Sequence, residues 1–250
     1  MPPEHPAGRG VALLPAFNES ASIATTLRQI RATVPSLDLV VIDDGSTDDT
    51  AAVAKEADPA AVVLRLPFNL GIGGALRTGF RHAVRSGYDF AIQVDADGQH
   101  DPAQIAALLD PLASGADLVI GSRFAEGSGA YEVSGVRRKA MSLLGLTLRG
   151  LLGRSFTDTS SGFRAFSSRC LEYFAKSYPA EYMESVEALL MACYAGLHVV
   201  EVPVTMHQRT GGQASNRRWR LVYHYLRIYV VLLSSASRQR RPHFQEATSS

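Results

Sequence analysis

Short apolar runs alternate with helical patterns through the first half of the chain, and this alternation limits the fold more than any other feature. The runs predict strands over 11–14, 39–42, 61–66, 89–94 and 117–120, and the helical patterns cover 20–33, 47–57, 73–86 and 102–114. Nearly continuous apolar strands are typical of a parallel sheet with helices on both faces. We therefore predict an α/β protein whose sheet is mostly parallel and flanked by helices.

The second half carries weaker patterns. Helices are predicted over 136–152 and 185–195, and strands over 162–166 and 199–204. Near the end of the chain, apolar residues recur at helical spacing among many arginines, which predicts an amphipathic C-terminal helix. We divide the chain into a disordered lead-in (1–9), one domain (10–215), this amphipathic basic helix (216–237) and a disordered tail (238–250).

Composition excludes several classes of protein. A net charge of +1 argues against a general nucleic-acid binder. The two cysteines, Cys170 and Cys193, lie in apolar stretches without metal-ligand spacing, which favours buried thiols and a reducing compartment. The sequence shows neither a secretion signal nor a run of roughly 18 to 20 apolar residues that could span a bilayer. We expect a cytoplasmic protein, either soluble or peripheral on the cytoplasmic face of a membrane.

Asp95 and Asp97 follow the predicted strand 89–94 and are separated by one residue. A strand that delivers two carboxylates to one loop makes a compact site for a hard cation such as Mg²⁺ or Mn²⁺. A cation held there can stabilise a diphosphate leaving group. The alternative is a solvated acidic turn, because this short pattern is common.

Polar segments also follow the first two predicted strands, at 15–19 and 43–46. In open parallel sheets, ligands bind beyond the carboxyl ends of the strands. One of the acids Asp43 and Asp44 could accept hydrogen bonds from a base or a ribose, or the segment could be an ordinary turn that caps a helix. The glycine-rich segment 69–75 precedes a helix and could let backbone N–H groups approach a phosphate. It lacks the lysine of a P-loop, which favours a tight structural turn.

Five motifs together resemble those of family 2 glycosyltransferases with the GT-A fold, the nucleotide-diphospho-sugar transferase fold. They are Pro-Ala-Phe-Asn-Glu (15–19), Asp-Asp-Gly-Ser (43–46), Asn69 with Gly-Ile-Gly-Gly-Ala (71–75), Asp-Ala-Asp-Gly-Gln-His (95–100) and Gly-Ser-Arg (121–123). The resemblance spans about residues 10 to 215 and is strongest to the branch of dolichol-phosphate mannose synthases and polyprenyl-phosphate glycosyltransferases. It implies a UDP- or GDP-linked sugar donor, a divalent metal, and inversion at the anomeric carbon.

The resemblance also implies roles for individual residues. The nucleotide-sugar would contact Pro15, Phe17, Glu19, Asp43, Asp44, Asp95, Ala96 and Gln99. The metal, Mg²⁺ or Mn²⁺, would be held by Asp95, Asp97 and Gln99. Asp97, Arg123 and Asp158 would serve catalysis, and the acceptor phosphate would be bound by Arg123, Arg138, Ser142 and Arg209.

Each of the acceptor-side residues has a structural alternative. Arg138 could be part of a solvated helix face, Arg209 part of a surface loop, and Asp158 the cap of a turn. Glu181 and Glu184 lie where other family members carry an acid that deprotonates a hydroxyl acceptor. A phosphate acceptor needs no strong base, so these two glutamates are the weakest candidates, and acids at a helix start are the alternative.

We therefore expect an inverting, metal-dependent enzyme that transfers a sugar to a polyprenyl phosphate of the dolichyl type. The alternative acceptor is a soluble phosphorylated metabolite or a glycan hydroxyl. The basic helix 216–237 would dock on an anionic membrane surface, on a membrane-embedded partner protein or on the catalytic domain itself. A nucleotidyltransferase fits less well, because the segment 15–19 replaces the glycine-rich loop of that class. A non-catalytic nucleotide-binding module fits less well because Asp95, Asp97 and Arg123 are all present.

Overall fold

The computed structural model describes residues 6–128, 135–179 and 184–206, and for 135–143 it describes the backbone alone. In chain order the described elements are β1 (Gly10–Ala16), α1 (Ile23–Thr33), β2 (Asp38–Asp43), α2 (Thr50–Ala57), β3 (Val62–Arg65), α3 (Ile72–Arg85), β4 (Phe90–Gln93), α4 (Ile105–Ala113), β5 (Leu118–Ser122), α5 (Gly135–Leu152), β6 (Arg164–Ser167), α6 (Ser168–Ser177), α7 (Glu184–Tyr194) and β7 (Val199–Pro203). The predicted basic helix 216–237 and the predicted tail lie outside the described residues. Within the described part, no helix is both long enough and apolar enough to cross a membrane.

The strands form one sheet in the order β3-β2-β1-β4-β6-β5-β7. Strand β6 runs antiparallel to β4 and β5, and the other described pairings are parallel. The prediction of a mostly parallel α/β sheet flanked by helices is therefore confirmed. The chain moves outward from β1 through β2 to β3, and then returns to the other side of β1 with β4. Such a reversal opens a crevice at the carboxyl ends of the two central strands, here β1 and β4.

The central strands are buried on both faces, as their continuous apolar sequence predicted. In β1, the neighbouring residues Leu13 and Leu14 point to opposite faces and both are fully buried. On one face, Leu27 of α1 and Leu108 of α4 belong to the same hydrophobic cluster as Leu14 and Val41 of the sheet. Burying both sides of the strands fixes their register, and so fixes where each strand ends.

The other face is covered by an aromatic cluster between α3 and α6. The ring of Phe80 in α3 has its centroid 4.9 Å from that of Phe166 in β6 and 4.9 Å from that of Tyr178. Phe174 of α6 closes the cluster, with its centroid 5.0 Å from that of Tyr178 in an edge-to-face arrangement. Helix α6 was not predicted from the sequence. It is capped by Ser167, whose hydroxyl accepts a hydrogen bond from the Cys170 N–H at 3.2 Å.

Two predicted helix starts are wrong by a few residues. Helix α1 begins at Ile23 rather than at Ser20, because the Ser20 N–H bonds to the Asp48 carboxylate at 3.2 Å. Helix α2 begins at Thr50, so Asp48 precedes its first turn instead of lying in it. In both cases a contact between the two loops replaces the first predicted turn of helix.

We expect Phe174→Ala to lower the free energy of unfolding by about 3 to 5 kcal/mol, because it leaves a cavity in the aromatic cluster. The matched control is Phe68→Ala, since the Phe68 side chain is 62% exposed. That change should stay within about 0.5 kcal/mol. Denaturant unfolding of both variants measures the difference, and equal effects would contradict a packed cluster between α3 and α6.

Candidate active site

Two loops at the carboxyl edge of the sheet are bound to each other. In the loop after β1, the Asn18 N–H donates to Ser46 Oγ, and Asn18 Oδ1 accepts from the Thr47 N–H, both at 2.9 Å. The Glu19 N–H donates to Thr50 Oγ1 at 2.9 Å. Asn18 has a φ of 56°, a left-handed conformation that asparagine tolerates better than most residues. These bonds join segments 15–19 and 43–50 into one rigid wall of the crevice.

Asp43 and Asp44, predicted as nucleotide ligands, organise the second loop. Asp43 is fully buried, and its Oδ1 accepts the Ser46 N–H at 2.9 Å. Asp44 Oδ1 accepts the Leu70 N–H at 2.7 Å, which ties the loop after β3 to this edge. Burial raises the pKa of Asp44, an effect that its bonds to backbone N–H groups partly oppose. In each carboxylate, Oδ1 is therefore already engaged in a hydrogen bond that holds a loop in place.

The remaining residues of segment 15–19 divide into buried and accessible positions. Pro15 is buried within β1, opposite Ile42 of β2. Phe17 is 44% exposed and offers an aromatic surface at the start of the loop. Glu19 is half-buried and accepts a hydrogen bond from the Ser22 hydroxyl at 2.8 Å. Phe17 and Glu19 are thus better placed than Pro15 to meet a ligand through their side chains.

The two acids of the predicted metal site lie at the end of β4, beside β1. The Asp95 side chain is 29% exposed, and its Oδ1 lies 3.4 Å from the donating Gln93 Nε2. Asp97 is partly exposed, and its Oδ1 accepts the Gln99 N–H at 3.1 Å. Ala96 between the acids is buried, and its carbonyl oxygen accepts from the Thr26 hydroxyl at 3.3 Å. The loop is held by its middle residue, while both acids remain partly exposed.

The donor set fits a cation that the substrate helps to bind. Among the described residues, no group of three or more His, Cys, Asp or Glu side chains could hold a metal ion. Mg²⁺, however, is usually held by one or two protein carboxylates together with substrate phosphates. A Cβ at Gly162 would lie only 3.0 Å from Asp95 Oδ2 and 3.2 Å from Oδ1. The glycine therefore leaves the Asp95 carboxylate uncrowded. The metal-binding role of Gln99 stays a prediction.

Arg123 and Asp158 form a buried, forked ion pair. Arg123 Nε donates to Asp158 Oδ2 at 2.6 Å, and Nη2 donates to Oδ1 at 2.8 Å. Nη2 also donates to Ser160 Oγ at 3.0 Å. Burial alone would raise the pKa of Asp158, but the hydrogen bonds and charge of Arg123 outweigh it and hold that pKa below its ordinary value. Two parallel charge-assisted bonds fix the orientation of the guanidinium plane.

Glu201 of β7 holds the backbone of the loop that carries Asp158. Its carboxylate oxygens accept the N–H groups of Thr157 and Asp158, each at 2.8 Å. Burial raises the pKa of Glu201, and these backbone bonds partly oppose the rise. Glu201 thus holds the backbone at Asp158, and the Asp158 carboxylate in turn holds Arg123.

His100 lies beside Asp95. It is buried, and the charges of Asp95, Asp97, Arg123 and Asp158 all act on it. The structure therefore brings the two acids of the predicted metal site close to Arg123 and Asp158, which the sequence predicted as separate site residues. The crevice has the loops after β1 and β2 on one side, the Asp95 loop at its centre, and Arg123 with Asp158 on the other side.

Comparison with known proteins identifies the family. The profile of glycosyl transferase family 2 matches residues 12–174. This chain belongs to that family. The glycosyltransferase is 35% identical over 214 residues to a polyprenol monophosphomannose synthase from Mycolicibacterium smegmatis, covering 83% of this chain and 80% of that protein. It is 35% identical over 216 residues to an undecaprenyl-phosphate mannosyltransferase from Micrococcus luteus, covering 82% and 86% of the two chains.

A solved structure of glucosyl-3-phosphoglycerate synthase from Mycobacterium tuberculosis also resembles this glycosyltransferase. The TM-score is 0.67 with 25% sequence identity, and the match covers 95% of this chain and 80% of that one. That structure contains Mn²⁺, UDP and phosphoglyceric acid. The likeness confirms the GT-A fold expected from the five motifs.

Four predicted residues of the glycosyltransferase have no described side chain. Arg138 and Ser142 lie in α5, where the backbone alone is described at their positions. Arg209 and Glu181 lie outside the described residues. Glu184 is the first residue of α7; it is buried and accepts from the Ser185 hydroxyl at 2.6 Å. Burial raises the pKa of Glu184.

Sequence reasoning missed two residues that organise this site. His100 was part of a quoted motif but received no role, although its place five residues after Asp95 was visible. Glu201 lies in the predicted strand 199–204 and received no role. The available signal was an acid inside the apolar run 199–204, since a carboxylate in a buried strand needs hydrogen-bond donors.

We expect Asp158→Asn to destabilise the protein by about 1.5 to 3 kcal/mol at neutral pH, because it removes a charged acceptor from a buried guanidinium. The folded-state pKa of Asp158 is lowered, so this contribution is complete above the ordinary value of about 3.9 and is lost as pH falls through the lowered value. Unfolding curves of both proteins between neutral and acidic pH measure it. Asp110→Asn on the exposed surface of α4 is the control, and a stability gap that does not narrow in acid would contradict the assignment.

Proposed function

We propose that this glycosyltransferase moves a sugar from a UDP- or GDP-linked donor to a polyprenyl phosphate, with inversion at the anomeric carbon and a divalent cation at Asp95 and Asp97. The observation that carries the proposal is the position of these two carboxylates. They lie at the reversal point of the sheet, between the loops after β1 and β2 and the Arg123–Asp158 pair. The names of the two relatives at 35% identity support a polyprenyl-type phosphate as the acceptor.

The nucleotide-sugar donor would bind along the wall formed by segments 15–19 and 43–50. The nucleotide would lie against the exposed ring of Phe17, with the carboxylates of Glu19 and Asp44 as acceptors for ribose or base hydrogen bonds. Asp95 and Asp97 would hold Mg²⁺ or Mn²⁺, which when bound supplies positive charge where the leaving nucleoside diphosphate gains negative charge. The Mn²⁺ and UDP in the structure of the mycobacterial relative support this arrangement.

The acceptor side needs phosphate binding more than proton removal. The second ionisation of a phosphate monoester has a pKa of about 6, so the acceptor is already charged at neutral pH. Arg123 would bind that phosphate in an orientation that Asp158 fixes, together with Arg138, Ser142 and Arg209. A phosphate oxygen then forms the bond to the anomeric carbon as the bond to the diphosphate oxygen breaks on the opposite face. Because a phosphate acceptor is already ionised, we assign Glu184 no general-base role.

A polyprenyl phosphate is a membrane lipid, so we place the reaction at the cytoplasmic face of a membrane. The predicted basic helix 216–237 would hold the protein there, through anionic lipid or through a membrane-embedded partner.

A soluble phosphorylated acceptor is the second candidate. It is favoured by the phosphoglyceric acid in the structurally similar synthase. The lower identity of that protein, 25% against 35% for the lipid-phosphate enzymes, places it second. A glycan hydroxyl is less favoured because it would need a general base.

The purified chain, given Mg²⁺ or Mn²⁺ and a panel of UDP- and GDP-sugars, should glycosylate a polyprenyl phosphate presented in vesicles. Asp97→Ala should lower the rate about 100-fold or more, because charge stabilisation of the leaving group is lost. The control is Asp110→Ala on the exposed surface of α4, which should keep full activity. Transfer of radiolabelled sugar into the lipid fraction is the measurement.

A parallel assay replaces the lipid with 3-phosphoglyceric acid. Turnover with this acid and none with the lipid would overturn the proposed acceptor while leaving the transferase assignment intact. Full activity of Asp97→Ala, or undiminished turnover in excess chelator, would overturn the metal assignment.

A further inference from the structure

His100 directs both nitrogens of its ring at a single residue, Asp95. Its Nδ1 accepts the backbone N–H of Asp95 at 2.9 Å, and its Nε2 lies 3.5 Å from Asp95 Oδ2. Among the described contacts, the polar atoms of the ring meet no other residue. The ring face is stacked on Phe163, with centroids 4.7 Å apart and planes at 20°. The imidazole is therefore fixed by packing on one side and by Asp95 on its edge.

The hydrogen bond determines which nitrogen carries the proton. Since Nδ1 accepts an N–H, its lone pair is occupied, and the proton of the neutral ring lies on Nε2. That N–H faces the Asp95 carboxylate.

A nitrogen atom of a neighbouring side chain lies beside each oxygen of the Asp95 carboxylate. Gln93 Nε2 approaches Oδ1 at 3.4 Å, while His100 Nε2 approaches Oδ2 at 3.5 Å. Both contacts are long, and a carboxylate has about four lone-pair sites, so two donors can orient it and still leave sites for a cation. His100 is itself anchored by a backbone bridge to Met206.

We propose that His100 is a positioning residue for Asp95, and that it sets the direction from which the carboxylate meets the divalent cation. This inference rests on the proposed metal role of Asp95 and Asp97. Groups that hold a metal-ligating side chain in place typically change metal affinity or activity by about 10- to 100-fold when removed. A histidine needed only as core filling would be replaceable by another flat ring on Phe163.

Three substitutions at His100 separate the contributions of the two ring nitrogens from that of ring packing. His100→Asn keeps an acceptor near the position of Nδ1, His100→Gln moves its polar group toward the position of Nε2, and His100→Phe keeps the ring without either nitrogen. The readout is Mn²⁺ affinity of the full chain in the presence of UDP, and separately of GDP, from the electron paramagnetic resonance signal of free Mn²⁺. His100→Asn keeps one of the two contacts with Asp95 and His100→Gln keeps the other, so we expect each to lose less affinity than His100→Phe, which loses both and should bind about 10-fold or more weakly.

The exposed His198, just before β7, supplies the matched control, and His198→Phe should leave Mn²⁺ affinity unchanged. If His100→Phe does not fold, the affinities of His100→Asn and His100→Gln decide, with melting temperatures showing that both fold. Normal affinity in His100→Phe, or in both His100→Asn and His100→Gln, would overturn the inference. Asp97→Ala is measured beside them. Retained Mn²⁺ affinity in that variant, or no Mn²⁺ binding by the unsubstituted chain, would show that the metal assignment fails and the inference fails with it.

Discussion

Parallel pairing of β1 with both β2 and β4 is the constraint on which the site depends. Because the three strands run in one direction with fixed register, the loops that follow them begin at the same edge of the sheet. Asp43 ends β2, and Asp95 follows β4 by two residues. A slip of one residue in either pairing would exchange the side chains packed on the two faces of the sheet. The hydrophobic faces of the strands thus determine where the carboxylates lie.

The antiparallel strand β6 completes the other side of the crevice. Its first residue, Arg164, pairs with Gln93 at the end of β4, so the segment before β6 lies at the carboxyl edge of the sheet. That segment contains Asp158 and Gly162. A parallel strand at this place would have sent the same segment to the opposite edge. One reversed strand therefore brings Asp158 to Arg123 and brings Gly162 against Asp95.

The sequence predicted the elements whose signals are local. Continuous apolar runs located β1 to β5, and polar residues after them located the candidate ligands Asp95 and Asp97. The direction of β6 could not be predicted, because four residues carry no signal of which neighbour they pair with. The contact of Glu201 with the Asp158 backbone joins positions 43 residues apart. His100 was missed because the role of a histidine depends on what its ring nitrogens face, which only the fold determines.

Near Asp95, strands β4 and β6 contain buried polar side chains that a core optimised for stability would lack. Arg164 is fully buried, and its Nη1 has no hydrogen-bond partner among the described residues. The same holds for Oε1 of Gln93, the residue that pairs with Arg164 and donates to Asp95. Each buried polar atom left unpaired costs about 1 to 3 kcal/mol. Apolar residues at these positions would avoid that cost, but they would leave Oδ1 of Asp95 without the Gln93 donor. The β4–β6 pair is therefore better explained by the orientation of Asp95 than by the stability of the sheet.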